Sequence, residues 1–115
     1  METYQGACHC GAVKFEVTLD LDESLICDCS ICSKKGGIIN RVSDDQLRLQ
    51  SPLDDLPVYQ FNKKIAKHYF CPTCGIYTFH RPRTAPELWG INVRCLDGVD
   101  ISTIKISQVH GSKLD

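Results

Sequence analysis

Three cysteines fall within six residues of the chain, at Cys27, Cys29 and Cys32. Tetrahedral zinc with Zn–S bonds of about 2.3 Å needs sulfur atoms roughly 3.8 Å apart, which a tight turn supplies and a regular strand does not. A C-x-C-x-x-C turn offers three ligands, and catalytic zinc keeps three protein ligands and one exchangeable position. The spacing therefore predicts a reactive zinc site at these cysteines.

Four further cysteines form a second set, divided between a C-x-C pair and a C-P-x-C-G motif. They are Cys8, Cys10, Cys71 and Cys74. Four thiolates complete a tetrahedral zinc site and leave no position for a substrate, so this set predicts a structural ion. Because the two halves lie far apart in the chain, a shared ion would join the N-terminal strand to a central hairpin. The sequence thus predicts two zinc ions per chain, one structural and one catalytic.

Two alternatives to this interpretation stay open at the level of the sequence. Cys95, His68 or His80 could fold back and complete a second four-ligand site at the three clustered cysteines. Cys95 could equally be a small buried apolar residue in a strand. The even number of eight cysteines would also fit a disulfide scaffold, which requires export to an oxidising compartment.

Lys34 and Lys35 directly follow the last of the three clustered cysteines. Their position beside a reactive metal predicts that they bind an anionic substrate, such as a thiol that carries carboxylates. The alternative is that they are an ordinary solvated pair of surface lysines.

The elements that must position these ligands are mostly strands. Val13, Phe15, Val17 and Leu19 alternate with polar residues, which is typical of a half-buried strand. The pattern predicts a mainly β fold of small antiparallel sheets, with a zinc knuckle at a hairpin tip and a capped helical turn at residues 43–46. Ile101, Ile104 and Ile106 are expected to close the sheet. Extended segments are predicted at residues 13–19, 25–27, 38–42, 47–49, 58–61, 65–70, 76–80 and 88–96.

Length and charge limit the possible partners. The chain of 115 residues predicts a single domain over residues 1–115, with a formal charge of −1. Two zinc ions on seven thiolates would bring that charge to about −4, which argues against a nucleic-acid partner. Residues 1–5 contain no apolar core, so no signal peptide is expected, and no apolar run is long enough to predict a membrane partner. We therefore expect a cytoplasmic protein, in which clustered cysteines bind metal rather than form disulfides.

The order of these motifs resembles the glutathione-dependent formaldehyde-activating enzyme family, which also includes centromere protein V. The resemblance extends from Gly6 to about Ile106. Its motifs are GACHCG at residues 6–11, CDCSIC at 27–32, HYFCPTCG at 68–75 and NVRCLD at 92–97. It implies a zinc-stapled fold of the β-tent type, with the structural zinc on the four-cysteine set and the catalytic zinc on Cys27, Cys29 and Cys32.

The resemblance also implies a reaction, the addition of glutathione to formaldehyde to give S-hydroxymethylglutathione. A substrate thiol that binds the catalytic zinc would ionise there, and its thiolate would attack the carbonyl carbon. The predicted partner is therefore a small thiol, with glutathione as the candidate. The alternative function is a non-catalytic zinc module that binds a protein partner.

Overall fold

The computed structural model describes residues 1–114, which form two β-sheets, one short α-helix and several 3-10 turns. The predicted mainly β fold is confirmed. None of the helices in this part of the chain is long and apolar enough to cross a membrane. The elements are β1 (Glu2–Ala7), β2 (Lys14–Leu19), β3 (Ser24–Cys27), α1 (Ser30–Lys35), β4 (Ile39–Val42), β5 (Leu47–Leu49), β6 (Val58–Tyr59), β7 (Lys67–Phe70), β8 (Tyr77–Arg81), β9 (Trp89–Asn92) and β10 (Ile106–Val109).

The smaller sheet has the strand order β1-β2-β5, and both of its pairings are antiparallel. In β2 the side chains of Phe15, Val17 and Leu19 are buried, as their alternation predicts. Strand β1 was not predicted, because its side chains are mostly polar and exposed. Its backbone nevertheless pairs with β2 along all six residues, and this pairing leads the chain into the turn that carries Cys8.

The larger sheet has the strand order β10-β3-β4-β9-β8-β7-β6. Its pairings are antiparallel except that of β10 with β3, which is parallel and aligns Val109 with Cys27. The predicted antiparallel sheets are therefore present, with one parallel pair at the edge of the larger sheet. A parallel pair needs a long connection between its strands, and the chain between β3 and β10 is long enough to provide one.

Aromatic side chains from both sheets pack together in the core. Phe15 of β2 contacts Phe79 of β8 edge to face, with ring centroids 5.7 Å apart. Phe79 in turn contacts Trp89 of β9 at 5.3 Å, in a similar edge-to-face geometry. A side chain at Gly6 would overlap the Phe15 ring, so β1 can approach the core only with glycine there. This packing fixes the two sheets, and hence the cysteines of both, relative to each other.

The predicted segments toward the C-terminal end differ most from the structure, whereas the capped turn at residues 43–46 is confirmed. The extended segment predicted at residues 88–96 ends at Asn92, whose side chain accepts a hydrogen bond from the Arg94 N–H at 3.1 Å and begins a 3-10 turn. Ile101 and Ile104 do not extend the sheet, since Ile101 lies in a 3-10 turn and strand β10 begins at Ile106. The capped turn at residues 43–46 is a 3-10 helix in which the Ser43 N–H donates to Gln46 Oε1 at 2.9 Å.

Candidate metal centres

Four thiols from two distant turns meet to form the first candidate centre, here called the four-cysteine cluster. Two come from the turn between β1 and β2 and two from the turn between β7 and β8. Cys10 Sγ lies 3.7 Å from Cys8 Sγ and 3.6 Å from Cys71 Sγ. All four ligand atoms lie within 4.8 Å of one another. The structure therefore brings together the residues Cys8, Cys10, Cys71 and Cys74.

The turn between β7 and β8 has the geometry of a zinc knuckle at a hairpin tip. The N–H groups of Thr73 and Cys74 donate to Cys71 Sγ at 3.4 and 3.5 Å. Gly75 has a φ of +79°, a left-handed conformation that glycine adopts without strain, and its N–H donates to the Cys71 carbonyl. The backbone thus turns its N–H groups toward the sulfur atoms, which stabilises thiolates.

The local electrostatics favour ionised sulfur at two of the four thiols in this cluster. Backbone N–H donation, chiefly from Cys10, lowers the pKa of Cys74 to about 6. Backbone donation from Cys74 similarly lowers the pKa of Cys71. Metal ligands must be thiolates, so these two cysteines are prepared for coordination. The sulfur–sulfur distances also match the roughly 3.8 Å of a tetrahedral zinc ion, so the cluster could hold such an ion with no position left for substrate.

The second candidate centre consists of Cys27, Cys29 and Cys32, here called the three-cysteine cluster. Cys27 ends β3, Cys29 is the N-cap residue of α1, and Cys32 lies in the first turn of that helix. The Cys32 N–H donates to Cys29 Sγ at 3.5 Å, so one sulfur serves as the helix cap. The three sulfur atoms lie within 4.8 Å of one another, close enough to share one ion.

Burial distinguishes the thiols of this cluster. It raises the pKa of Cys32 to about 12, with a further contribution from the Cys29 sulfur. Burial also acts to raise the pKa of Cys29, but donation by the Cys32 N–H and the neighbouring thiols outweighs it, and the net shift is downward. A cation held by the cluster would stabilise all three thiolates at once.

Neither Cys95 nor His68 nor His80 joins the three-cysteine cluster. Cys95 is buried, and its thiol donates to the Tyr77 carbonyl at 3.5 Å. Within residues 1–114, no fourth histidine, cysteine or acidic residue has a ligand atom within 4.8 Å of all three sulfur atoms. All eight cysteines carry free thiols, so the disulfide alternative has no support in the structure.

The segment that follows β10 packs directly on the three-cysteine cluster. Asp28 accepts hydrogen bonds from His110 Nδ1 at 2.8 Å and from the Ser112 N–H at 3.0 Å. The Ser112 N–H and the His110 side chain lower the pKa of Asp28 to about 2, so it is a carboxylate at neutral pH. Between these anchors, a Cβ atom at Gly111 would lie only 2.6 Å from Cys27 Sγ. The chain therefore covers one side of the cluster with backbone alone.

The two lysines after the cluster point in different directions. Lys34 is exposed, whereas the ammonium of Lys35 lies 2.9 Å from His68 Nδ1 and 3.5 Å from the centroid of the Tyr77 ring. His68 in turn stacks on His80, with ring centroids 5.2 Å apart. Only Lys35 is therefore part of the structured surroundings of the cluster.

Sequence reasoning missed several of these neighbours. Asp28 lies between two predicted ligands, but its partners are 82 and 84 residues away, and no local signal indicates them. Gly111 and Tyr77 carry no motif of their own. The position of Asp28 inside the C-x-C pair was the one available signal, because a residue between two ligands is held close to the metal.

Comparison with known proteins agrees with this geometry. The chain is similar to a protein from Rhodobacter sphaeroides of known crystal structure, with 41% sequence identity and a TM-score of 0.83. The similarity covers 91% of this chain and 99% of that one. A family model described as glutathione-dependent formaldehyde-activating enzyme matches residues 3–109, which include both cysteine clusters. The chain belongs to the glutathione-dependent formaldehyde-activating enzyme family.

Proposed function

We propose that this protein is a zinc-dependent carbon–sulfur lyase that forms and cleaves a thiol adduct. The proposed substrates are glutathione and formaldehyde, and the product is S-hydroxymethylglutathione. The observation that carries the proposal is the three-cysteine cluster, which in residues 1–114 gathers three ligands and no fourth. The substrate pair is taken from the family to which the chain belongs.

The proposal assigns different roles to the two clusters. The four-cysteine cluster would hold a structural zinc ion, and Cys27, Cys29 and Cys32 would hold a catalytic one. When bound there, the catalytic ion would lower the pKa of a substrate thiol and so supply the thiolate nucleophile. The covering segment at Gly111 would restrict the approach of substrate to the other sides of the cluster. A cytoplasmic location would keep both the cysteines and glutathione reduced.

Lys34 and Lys35 are the proposed substrate-binding residues. Lys34 is exposed at the C-terminal end of α1, where it can meet a carboxylate of glutathione. An exposed ionic contact of this kind contributes only about 0.2–1 kcal/mol, so the sulfur must provide most of the affinity. Lys35 is less exposed than Lys34 and lies three residues after Cys32 in α1.

One observation favours the alternative, a non-catalytic zinc module that binds a protein partner. Four apolar side chains near strand β6, at one edge of the larger sheet, are exposed to water. The exposed fractions are 41% for Val58, 52% for Tyr59, 37% for Phe61 and 45% for Ile65. Such a surface could pack against another protein. This alternative predicts no binding of small thiols.

Thiol binding by the zinc-loaded protein separates the two functions. Titration calorimetry with glutathione should detect binding at or below millimolar concentration, and Cys29→Ser should abolish it. Cys95→Ser is the matched control, since it replaces a cysteine outside both clusters and keeps a donor for the Tyr77 carbonyl. Exchange NMR should then show faster interconversion of glutathione, formaldehyde and their adduct in the presence of the protein. If protein with two zinc ions binds no small thiol, the enzyme proposal is wrong and the binding module is favoured.

A further inference from the structure

Lys35 is a half-buried lysine whose ammonium contacts two aromatic rings. Its ammonium lies between the imidazole of His68, at 2.9 Å, and the face of the Tyr77 ring, at 3.5 Å. Both of these partners are buried. No carboxylate in the described residues pairs with the ammonium. A structural role as an ion pair is therefore not available to explain why Lys35 is there.

The partners of Lys35 are themselves held firmly. His68 of β7 and His80 of β8 are opposite each other in the sheet, and their rings stack at 5.2 Å with an angle of 12°. Tyr77 Oη lies 2.6 Å from His80 Nδ1, which fixes the ring that Lys35 contacts. Phe61 also stacks on His68, with ring centroids 6.1 Å apart. These packed rings therefore form a fixed surface against which the Lys35 ammonium lies.

The protonation states of this group follow from its surroundings. Burial, together with the charge of Lys35, lowers the pKa of His68 to about 4, so the imidazole is neutral and its Nδ1 accepts. Burial lowers the pKa of Lys35 to about 8, while the sulfur atoms of Cys32, Cys29 and Cys27 act in the opposite direction. Lys35 therefore remains largely an ammonium at neutral pH. It follows Cys32 by three residues in α1, so the two side chains lie on the same face of the helix.

An ammonium has three N–H donors, and the described residues use only part of this capacity. One N–H donates to His68 Nδ1, and the positive group rests on the face of Tyr77. Among residues 1–114 no further acceptor contacts Lys35 Nζ. An N–H group of the Lys35 ammonium therefore remains available to a ligand bound beside the three-cysteine cluster. A carboxylate of glutathione is the less suitable ligand, because Lys34 already offers an exposed cation for it.

We propose that Lys35 is a catalytic residue that donates a hydrogen bond to the oxygen of the aldehyde and stabilises the negative charge that forms on it. His68 and Tyr77 are positioning residues that aim the ammonium. This inference rests on the proposed function and sharpens it, since it assigns Lys35 to the electrophile instead of the thiol substrate. Because such a donor is in position before the reaction begins, it stabilises the developing charge without reorganisation of the site.

The thiolate sulfur of glutathione gives an electron pair to the carbonyl carbon, a C–S bond forms, and the C=O π pair moves onto oxygen. Lys35 donates to that oxygen while the charge develops. The oxygen then takes a proton from water, which replaces the proton lost when the thiol ionised. The new hydroxyl group of the product is uncharged, and the step consumes no oxidant or reductant.

The test compares neighbouring lysines in the zinc-loaded protein. Exchange NMR of glutathione with formaldehyde gives kcat and KM, and calorimetry gives the Kd for glutathione alone. Lys35→Met should lower kcat by about 100-fold or more, as removal of an oxyanion donor does elsewhere, and change the glutathione Kd only several-fold. Lys34→Met, at the proposed binding residue, should instead raise KM and Kd several-fold, with a larger effect on KM than on kcat. Lys63→Met, an exposed lysine far along the chain from α1, is the control and should match the wild type.

Further variants keep the inference testable if Lys35→Met does not fold. Lys35→Gln retains a neutral N–H donor and should give a kcat between those of the wild type and Lys35→Met. His68→Leu removes the acceptor that holds Lys35 and should lower kcat about tenfold at unchanged zinc content, and His68→Gln should recover part of that loss. If the wild-type protein does not catalyse the reaction of glutathione with formaldehyde, the proposed function itself is wrong. Active wild type with an unchanged kcat in Lys35→Met or Lys35→Gln would overturn only the role of Lys35.

Discussion

The two cysteine clusters use the same ligand atom but are assembled in opposite ways. The four-cysteine cluster joins turns of two different sheets, and its Cys10 and Cys71 are 61 residues apart. The three-cysteine cluster comes from six consecutive residues at the junction of β3 and α1. An ion in the first would connect parts of the chain that are otherwise separate, whereas an ion in the second would close only a short loop. The origin of the ligands therefore indicates which cluster supports the fold.

The surroundings of the clusters differ as well. Around the four-cysteine cluster the contacts are mostly backbone N–H groups that donate to sulfur. The three-cysteine cluster shares α1 with the half-buried Lys35 and is covered by the segment anchored by Asp28. Titratable groups with perturbed pKa values are found preferentially at functional sites. This contrast favours a structural role for the four-cysteine cluster and a catalytic role for the three-cysteine cluster.

The largest expected effect comes from breaking the four-cysteine cluster. Cys71 is fully buried and accepts from two backbone N–H groups, so Cys71→Ser would remove a ligand and disturb the knuckle. Structural zinc can contribute on the order of 10 kcal/mol, which is comparable to the whole stability of a domain, about 5–15 kcal/mol. We expect loss of cooperative thermal unfolding, measured by circular dichroism. The control Cys95→Ser should still unfold cooperatively, and a Cys71→Ser protein as stable as that control would contradict a structural role.

The second prediction concerns Cys32→Ser, which removes one ligand from the three-cysteine cluster. Because the cluster closes only a local turn, the variant should stay folded and retain one zinc ion per chain where the wild type has two. Elemental analysis after gel filtration measures this ratio, and circular dichroism checks the fold. Equal unfolding of Cys32→Ser and Cys71→Ser would mean that the two clusters do not differ as proposed.

The comparison also shows what could be predicted from the sequence. The two ligand sets follow from spacing alone, because coordination geometry restricts the distances between sulfur atoms. The burial of Phe15, Val17 and Leu19 follows from their alternation in β2. The direction of Lys35 does not follow, since a helix of six residues is too short for its sequence to define a buried face. The contacts of Asp28 also depend on a parallel strand pairing that only the whole fold determines.

The third prediction tests the cover over the three-cysteine cluster. In Gly111→Ala the added Cβ would lie 2.6 Å from Cys27 Sγ, so either the segment or the thiol must move. Changes to groups that support a metal ligand typically lower metal affinity by 10–100-fold, and we expect a loss in that range. Competition with a chelator measures the affinity of the three-cysteine cluster for zinc. Ser107→Ala, at an exposed position of β10, is the control. Unchanged zinc affinity in Gly111→Ala would show that the segment does not shape the cluster.

The smallest expected effect belongs to Lys34, and it would refine the view that the three-cysteine cluster is a substrate site. Lys34 is exposed, so its contact with a glutathione carboxylate should contribute about 0.2–1 kcal/mol, and Lys34→Ala should weaken binding by no more than about fivefold. The loss should diminish at high salt, because the contact is screened by solvent ions. 2-Mercaptoethanol provides an internal comparison, since it offers the same thiol without a carboxylate and should bind Lys34→Ala and wild type equally. Calorimetry with both thiols at two salt concentrations measures the difference. Equal losses for glutathione and 2-mercaptoethanol would instead place Lys34 in support of the metal ligands, since its effect would not depend on the carboxylate.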